Sequence, residues 1–182
     1  MELVQGDITS LTVDVIVTAA NARLSGCFLP DCTCVDRAVH AAAGPKLKET
    51  CEKQMQAIRA KIGETYEQPV GIPMMTDAFD LPAKKIVHVV GPMVSDAPTD
   101  LQKEQLSLCY KNTLMLCAHR GMKSVAFCCL STGYGNFPHR EAAEIAVGTV
   151  RDYLAHHTEM ERVIFSVLHD EDLAIYQDLL AE

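Results

Sequence analysis

The chain has 182 residues, of which 48% are hydrophobic and 22% charged, and its formal net charge is −8. This composition indicates a folded globular chain and excludes a disordered one, and the length suits one domain, which we place at residues 1–182. The acidic balance excludes a protein that coats nucleic acid or anionic membrane through bulk charge. No apolar run approaches the roughly 20 residues of a membrane span, and the N-terminus lacks a signal-peptide pattern, so we expect a cytoplasmic protein.

Short runs rich in β-branched residues alternate with longer helical patterns. They predict strands at residues 13–18, 70–76, 85–90, 124–130 and 162–168, and helices at residues 35–59 (broken at Gly44-Pro45), 100–119, 139–156 and 170–180. Strands separated by helices predict an α/β domain with a largely parallel sheet. Ligands of such sheets bind beyond the carboxyl ends of the strands, so the loops after Thr18, Leu130 and Leu168 are the places to search for a site.

The loop after Thr18 carries three of the eight cysteines, Cys27, Cys32 and Cys34. Thiolates are suitable ligands for Zn²⁺, and three of them leave the fourth tetrahedral position open, as in a catalytic metal site. The alternative is a loop with three reduced, uninvolved thiols, because the paired CxxC pattern of zinc knuckles is absent. The spacing alone leaves both interpretations open.

Two polar residues flank this cysteine loop. Asn21 offers an amide at a strand end, and Asp36 falls near the start of the next helix. Each also has a purely structural interpretation, Asn21 as a turn residue and Asp36 as an acid that caps the helix or complements its dipole.

The loop after Leu130 has a composition typical of an anion cradle. Its sequence is Ser131-Thr132-Gly133-Tyr134-Gly135-Asn136, between a buried strand and a helix. Glycines leave backbone N–H groups accessible, and a helix N-terminus attracts anions. A plain structural turn is the alternative, but the expected placement at the same sheet edge as the cysteine loop favours a binding role.

Five stretches together carry a resemblance to a known family: Gly6-Asp7-Ile8-Thr9, residues 13–21, residues 35–45, residues 81–92 and Ser131-Thr132-Gly133. In this order and spacing they resemble the macrodomain family, an ADP-ribose-binding module. The resemblance implies a three-layer α/β/α sandwich with a mixed, largely parallel sheet. Residues 26–36 are similar to the zinc-dependent microbial branch, which removes mono-ADP-ribose from proteins.

The resemblance implies a role for each candidate residue. Asp7 would accept a hydrogen bond from the adenine amino group, with the Ile8 N–H beside it. Asn21 would position the distal ribose, and Asp36 would orient or deprotonate the attacking water. The backbone of the second loop would hold the pyrophosphate, through Ser131, Thr132, Gly133, Tyr134, Gly135 and Asn136.

Two departures from the family pattern change the expectations. Cys27, Cys32 and Cys34 would hold the zinc, with Cys32 where the branch commonly has a histidine. Three thiolates give the Zn²⁺ centre a charge of −1, so we expect the metal to orient the distal ribose more than to generate hydroxide. Many members carry an aromatic ring at the position of Gly135, and Tyr134 or Phe137 is expected to replace it.

The resulting hypothesis is a hydrolase that binds ADP-ribose and removes it from mono-ADP-ribosylated proteins. Three alternatives stay open: an ADP-ribose-binding module without turnover, a deacetylase of O-acetyl-ADP-ribose, and an oxidant-sensing protein that uses the cysteine loop. The hydrolase is favoured because Asn21, Asp36 and the cysteines occur together, whereas a binding module needs only the pocket.

Overall fold

The computed structural model describes residues 1–28 and 33–181. The strands in these ranges are β1 (Glu2–Gln5), β2 (Val15–Ala19), β3 (Met74–Asp77), β4 (Lys85–Val89), β5 (Ser124–Phe127) and β6 (Arg162–Val167). The α-helices are α1 (Val35–Ala43), α2 (Pro45–Ile62), α3 (Asp100–His119), α4 (His139–His156) and α5 (Asp170–Ala181). A short 3₁₀ helix, Ile8–Ser10, lies between β1 and β2. Each helix in the described ranges is too short or too polar to cross a bilayer.

The strands form one sheet in the order β1-β6-β5-β2-β4-β3. Strand β3 is antiparallel to β4, and the other neighbours are parallel, so the sheet is mixed and largely parallel as predicted. Val15, Ile16 and Val17 of β2 are fully buried, which explains why this strand has a continuous apolar sequence: it is covered on both faces.

Helices cover both faces of the sheet and give the expected three-layer α/β/α sandwich. Helix α1 packs on α2 and β2, while α3, α4 and α5 pack in series. Aromatic rings join the second group to the sheet. The ring of Phe127 on β5 lies 5.0 Å from that of Tyr110 on α3, and the ring of Phe165 on β6 lies 5.0 Å from that of Tyr176 on α5.

Several predicted boundaries differ from the observed ones. Strand β1 was not predicted, because its exposed ends and two half-buried residues give no clear period. The predicted strand at 70–76 is shorter and begins at Met74, just after Pro73, which cannot donate a ladder hydrogen bond. Strand β5 ends at Phe127, three residues before the predicted Leu130. Helix α2 runs to Ile62 and ends at Gly63, whose N–H bonds to the Arg59 carbonyl.

The parallel strands end at one common edge of the sheet. Strands β2 and β5 are neighbours, with Val17 opposite Phe127, so the segments that follow them leave the sheet side by side. The thiol of Cys128, just after β5, meets the backbone of Ala19 at the end of β2. Strand β1 lies three positions from β2, which is about 14 Å at the usual strand spacing.

Candidate functional site

A buried carboxylate lies at the junction of β2 and α1. Asp36 is in the first turn of α1 and is only 3% exposed. The fully buried Thr18 on β2 donates a hydrogen bond from Oγ1 to Asp36 Oδ1 at 3.0 Å. The backbone N–H of Cys27 also donates to this carboxylate. Asp36 is therefore fixed by the end of β2 and by the segment that carries Cys27, and it does not simply cap its helix.

Burial controls the protonation of this carboxyl. Desolvation raises the pKa of Asp36, although nearby His40 and the hydrogen bonds from Thr18 and Cys27 favour the charged form. A carboxylate with a raised pKa binds a proton more readily than a solvated one, which is the property that a general base for water requires.

His40 lies one helical turn beyond Asp36. Its Nε2 is 3.9 Å from Asp36 Oδ1, and the side chain is almost fully buried. Burial lowers the pKa of His40, and the Asp36 carboxylate opposes that change. The Nδ1 atom of the same ring has no hydrogen-bond partner among the described residues.

The Asn21 side chain organises the turn that follows β2. Its Oδ1 accepts hydrogen bonds from the backbone N–H groups of Arg23 and Ser25, and its Nδ2 donates to the Gly26 carbonyl at 3.3 Å. The structural interpretation of Asn21 as a turn residue therefore holds. Because Asn21 is exposed and Nδ2 carries a second proton, the ribose contact stays a prediction.

Two of the three cysteines lie next to Asp36, and Cys32 is outside the described residues. Cys27 and Cys34 are both partly exposed. Cys34 is the N-cap of α1, two residues before Asp36, and the N–H of Cys27 bonds to the carboxylate itself. Partly exposed sulfur ligands beside a buried acid are a donor set that fits Zn²⁺.

The segment after β5 forms a tight turn with accessible amides. Ser131 and Asn136 have positive φ angles of 65° and 52°. The Phe137 N–H bonds to the Ser131 carbonyl at 2.9 Å, and the Asn136 N–H bonds to the Gly133 carbonyl at 3.0 Å. Within the described ranges, the N–H groups of residues 131–135 donate no hydrogen bond. The predicted anion cradle therefore keeps these donors, but the Asn136 N–H is already used by the turn.

Close packing explains why this turn has a glycine where an aromatic residue was expected. A Cβ atom at Gly135 would lie 2.5 Å from the Ser131 carbonyl oxygen and 3.0 Å from that of Pro92. The Gly135 carbonyl accepts the Val94 N–H at 2.8 Å, which ties the turn to the segment after β4. A side chain at this position is excluded by the backbone.

The two rings proposed to replace that aromatic residue are placed very differently. The Phe137 side chain is 1% exposed and its apolar ring packs in the hydrophobic core, where α4 begins. The structure therefore does not support the expectation that the Phe137 ring contacts the substrate. Tyr134 is 84% exposed and is the ring that a ligand can reach.

Asp7 and Ile8 follow β1 at the same sheet edge. Asp7 is exposed and caps the 3₁₀ helix by accepting the Thr9 N–H at 2.9 Å. Only Oδ1 makes this bond, so Oδ2 can accept another. The Ile8 side chain is buried, so its contact with a ligand would be through the backbone.

Sequence reasoning missed two residues of the site. Thr18 was used only to mark the end of a predicted strand, and His40 was not singled out. The spacing of Asp36 and His40 by one helical turn was the available signal, because side chains four residues apart share a helix face. The bond between Thr18 and Asp36 had no local signal, since it depends on how α1 meets β2.

The fold, together with the residues at the edge where the parallel strands end, defines the class of protein. A family model described as Macro domain matches residues 17–146, and the chain belongs to that family. The Oceanobacillus iheyensis macrodomain with ADP has a similar structure, with a TM-score of 0.86 and 38% identity over 98% of this chain and 88% of that one. The Trypanosoma brucei macrodomain in complex with ADP-ribose has a TM-score of 0.82 and 30% identity over 98% of this chain and 68% of that one.

Curated relatives are similar over nearly the whole chain. A Treponema medium protein named Protein-ADP-ribose hydrolase is 41% identical over 177 residues, which is 97% of this chain and 66% of the relative. A Staphylococcus aureus protein of the same name is 38% identical over 175 residues, which is 96% of this chain and 64% of the relative. The chain thus spans slightly less than two thirds of the length of these relatives.

Proposed function

We propose that this chain hydrolyses the bond between mono-ADP-ribose and a modified protein. The buried Asp36 carboxylate at the ligand-binding edge of the sheet is the observation that carries the proposal. An ADP-ribose-binding module needs no buried base there, and a carboxylate that is buried despite the cost of desolvation is a candidate for a functional group. The relatives named Protein-ADP-ribose hydrolase support the same function.

The arrangement of the edge suits an extended dinucleotide-like ligand. Asp7 and Ile8, after β1, would bind the adenine through the free Asp7 oxygen and the Ile8 N–H. The accessible amides of residues 131–135, in the middle of the edge, would hold the pyrophosphate. Asn21 and Asp36, after β2, would then face the distal ribose at about 14 Å from the β1 end.

The chemical step needs one water molecule and one base. The Asp36 carboxylate takes a proton from the water as the water oxygen bonds to the anomeric carbon of the distal ribose. The bond from that carbon to the protein acceptor atom breaks, and the acceptor leaves with its electron pair and takes up the proton that Asp36 removed from the water. Thr18 and the Cys27 N–H hold the carboxylate in place for this transfer.

The same proposal assigns Cys27, Cys32 and Cys34 as zinc ligands. When bound, zinc supplies positive charge and orientation beside the distal ribose. The support from the described residues is that the Cys27 N–H bonds to the Asp36 carboxylate and that Cys34 lies two residues before Asp36. Replacing both of these by serine should remove one equivalent of zinc from the purified protein, measured by metal analysis.

The deciding experiment compares Asp36→Asn with wild type on a mono-ADP-ribosylated protein. Asparagine has the same shape and still accepts from Thr18, but it cannot take a proton. We expect the turnover rate to fall by about 10²–10⁴-fold, while ADP-ribose affinity by calorimetry changes only a few-fold. Asp152→Asn is the control, because Asp152 is an exposed acid on α4 and its loss should change neither quantity.

Three outcomes would contradict the proposal. Equal rates for wild type and Asp36→Asn would remove Asp36 as the base. Tight ADP-ribose binding without turnover by the wild type would make the chain a binding module. Release of acetate from O-acetyl-ADP-ribose, with no release of ADP-ribose from modified protein, would make it a deacetylase.

A further inference from the structure

A second group of histidine and cysteine side chains lies beneath α1. His40 is on α1, Cys51 on α2 and His88 on β4, and each is at most 5% exposed. One ligand atom from each lies within 4.8 Å of the others. We call these three residues the interior cluster.

The ligand atoms of the interior cluster are only slightly farther apart than the ligand atoms around a bound zinc ion. The nitrogen and sulfur ligands of a tetrahedral zinc ion lie about 3.3–3.7 Å apart, given its usual bond lengths. Cys51 Sγ is already 3.9 Å from His88 Nε2. A contraction of about 1 Å at the longest separation would therefore complete three coordination positions, which side-chain rotation can supply.

The hydrogen bonding of the interior cluster is incomplete without a ligand. His40 Nδ1 is buried and has no hydrogen-bond partner among the described residues, which is uncommon for a buried ring nitrogen. His88 Nε2 is held at 2.9 Å by the Thr76 hydroxyl, which fixes the orientation of that ring. Coordination through His40 Nδ1 would give that atom a partner, and coordination through His88 Nε2 would replace the bond to Thr76.

Charge balance favours a divalent ion over other ligands. Two neutral imidazoles and one thiolate around a divalent cation sum to +1, and the Asp36 carboxylate lies 3.9 Å from His40. The assembly is then neutral, which lowers the cost of its burial. His40 also lines a cavity of about 510 Å³ that opens at the surface beside Lys48, Glu49 and Glu52, and this cavity gives an ion a path to the ring.

We infer that His40, Cys51 and His88 bind one divalent transition-metal ion of the zinc class. Imidazole and thiolate together select zinc and cobalt over magnesium and calcium, which prefer oxygen ligands. The inference does not depend on the proposed hydrolase function, because it uses none of the loop cysteines and its test reads metal binding alone.

The test uses Co²⁺ as a spectroscopic probe in the full chain with Cys27, Cys32 and Cys34 replaced by serine, which removes the loop sulfurs. We expect one equivalent of Co²⁺ to bind, with a near-ultraviolet charge-transfer band from thiolate to cobalt and displacement by Zn²⁺. Adding Cys51→Ala should abolish the band. Adding Cys117→Ala should leave it intact, because Cys117 is an equally buried thiol on α3 away from the cluster.

A second variant covers the case in which Cys51→Ala fails to fold, as judged by thermal unfolding. His88→Gln keeps a hydrogen-bonding group toward Thr76, and it should weaken Co²⁺ binding at least tenfold. Binding that shows no thiolate band, or a band that survives Cys51→Ala, would overturn the inference. Absence of Co²⁺ binding in the serine background would also overturn it and would leave the cluster as a hydrogen-bonded part of the core.

Discussion

The hydroxyl of Thr18 and the carboxylate of Asp36 form a 3.0 Å hydrogen bond between two almost fully buried side chains. This bond connects the end of β2 to the first turn of α1, across the segment that carries the cysteines. Because a hydroxyl donor stabilises the charged form of a carboxyl, Thr18 helps to position Asp36 and opposes the rise in its pKa that burial causes.

Thr18→Val should raise the pKa of Asp36 further. Valine has the shape of threonine but no donor, so the charged carboxylate loses a stabilising hydrogen bond. Since the base must be deprotonated, the acid limb of the turnover profile should move to higher pH. Rates measured across pH check this, and Thr113→Val is the control, because the Thr113 hydroxyl is buried without a partner among the described residues. If the acid limb of Thr18→Val stays at the wild-type pH, Asp36 is not the group whose titration limits turnover.

Gly135→Ala should disrupt the turn after β5. The added Cβ would lie 2.5 Å from the Ser131 carbonyl oxygen, so the backbone must shift, at a cost of about 1–3 kcal/mol. We expect a lower melting temperature and at least tenfold weaker ADP-ribose binding by calorimetry. Gly148→Ala on α4 is the matched control, since its Cβ meets nothing within 4 Å and alanine favours the helix. Wild-type affinity in Gly135→Ala would show that this turn does not hold the ligand.

The sequence predicted those parts of the fold that have a strong local pattern. The β-branched run of β2 and the glycine-bearing segment after β5 indicated both the sheet and its ligand-binding edge. Strand β1 was missed because it depends on pairing with β6, which lies at the other end of the chain.

The site was harder to predict because its chemistry depends on burial. A position near a helix start is compatible with both a cap and a buried base, and only the packing of α1 on β2 decides that Asp36 is buried. In the same way, the sequence Gly135-Asn136-Phe137 contains a ring that was expected to contact the ligand. The direction of the chain after the turn sends that ring into the core.

Tyr134 and Phe137 should respond in opposite ways to truncation. Tyr134→Ala removes a ring that is 84% exposed, so stability should change by less than about 0.5 kcal/mol while ADP-ribose affinity falls. Phe137→Leu changes a buried ring, so it should lower the free energy of unfolding by about 1–2 kcal/mol with little direct effect on affinity. Chemical denaturation and calorimetry on both variants measure the two quantities. Unchanged ADP-ribose affinity in Tyr134→Ala would mean that the Tyr134 ring does not contact the distal ribose.

Asp14 should make stability depend on acidic pH. The Lys84 side chain, 2.6 Å from Asp14 Oδ1, and the N–H groups of Lys123 and Ser124 lower the pKa of this carboxyl from 3.8 to about 2. A lowered folded-state pKa gives stability that is complete above pH 3.8 and is lost as the pH falls toward 2. Because Lys84 is largely exposed and screened by solvent, we expect Asp14→Asn to cost about 1–2 kcal/mol at pH 7.

Denaturant titrations of wild type and Asp14→Asn at pH 7 and at pH 2.5 measure this effect, and the difference between the two proteins should shrink at the lower pH. Asp77→Asn is the matched control, because Asp77 pairs with Lys85 at an exposed position and should cost less than about 0.5 kcal/mol. A difference for Asp14→Asn that stays constant with pH would mean that the variant acts through packing and not through charge. In that case the hydrogen bonds from the Lys123 and Ser124 N–H groups, which an asparagine oxygen can also accept, would not depend on the charge of residue 14.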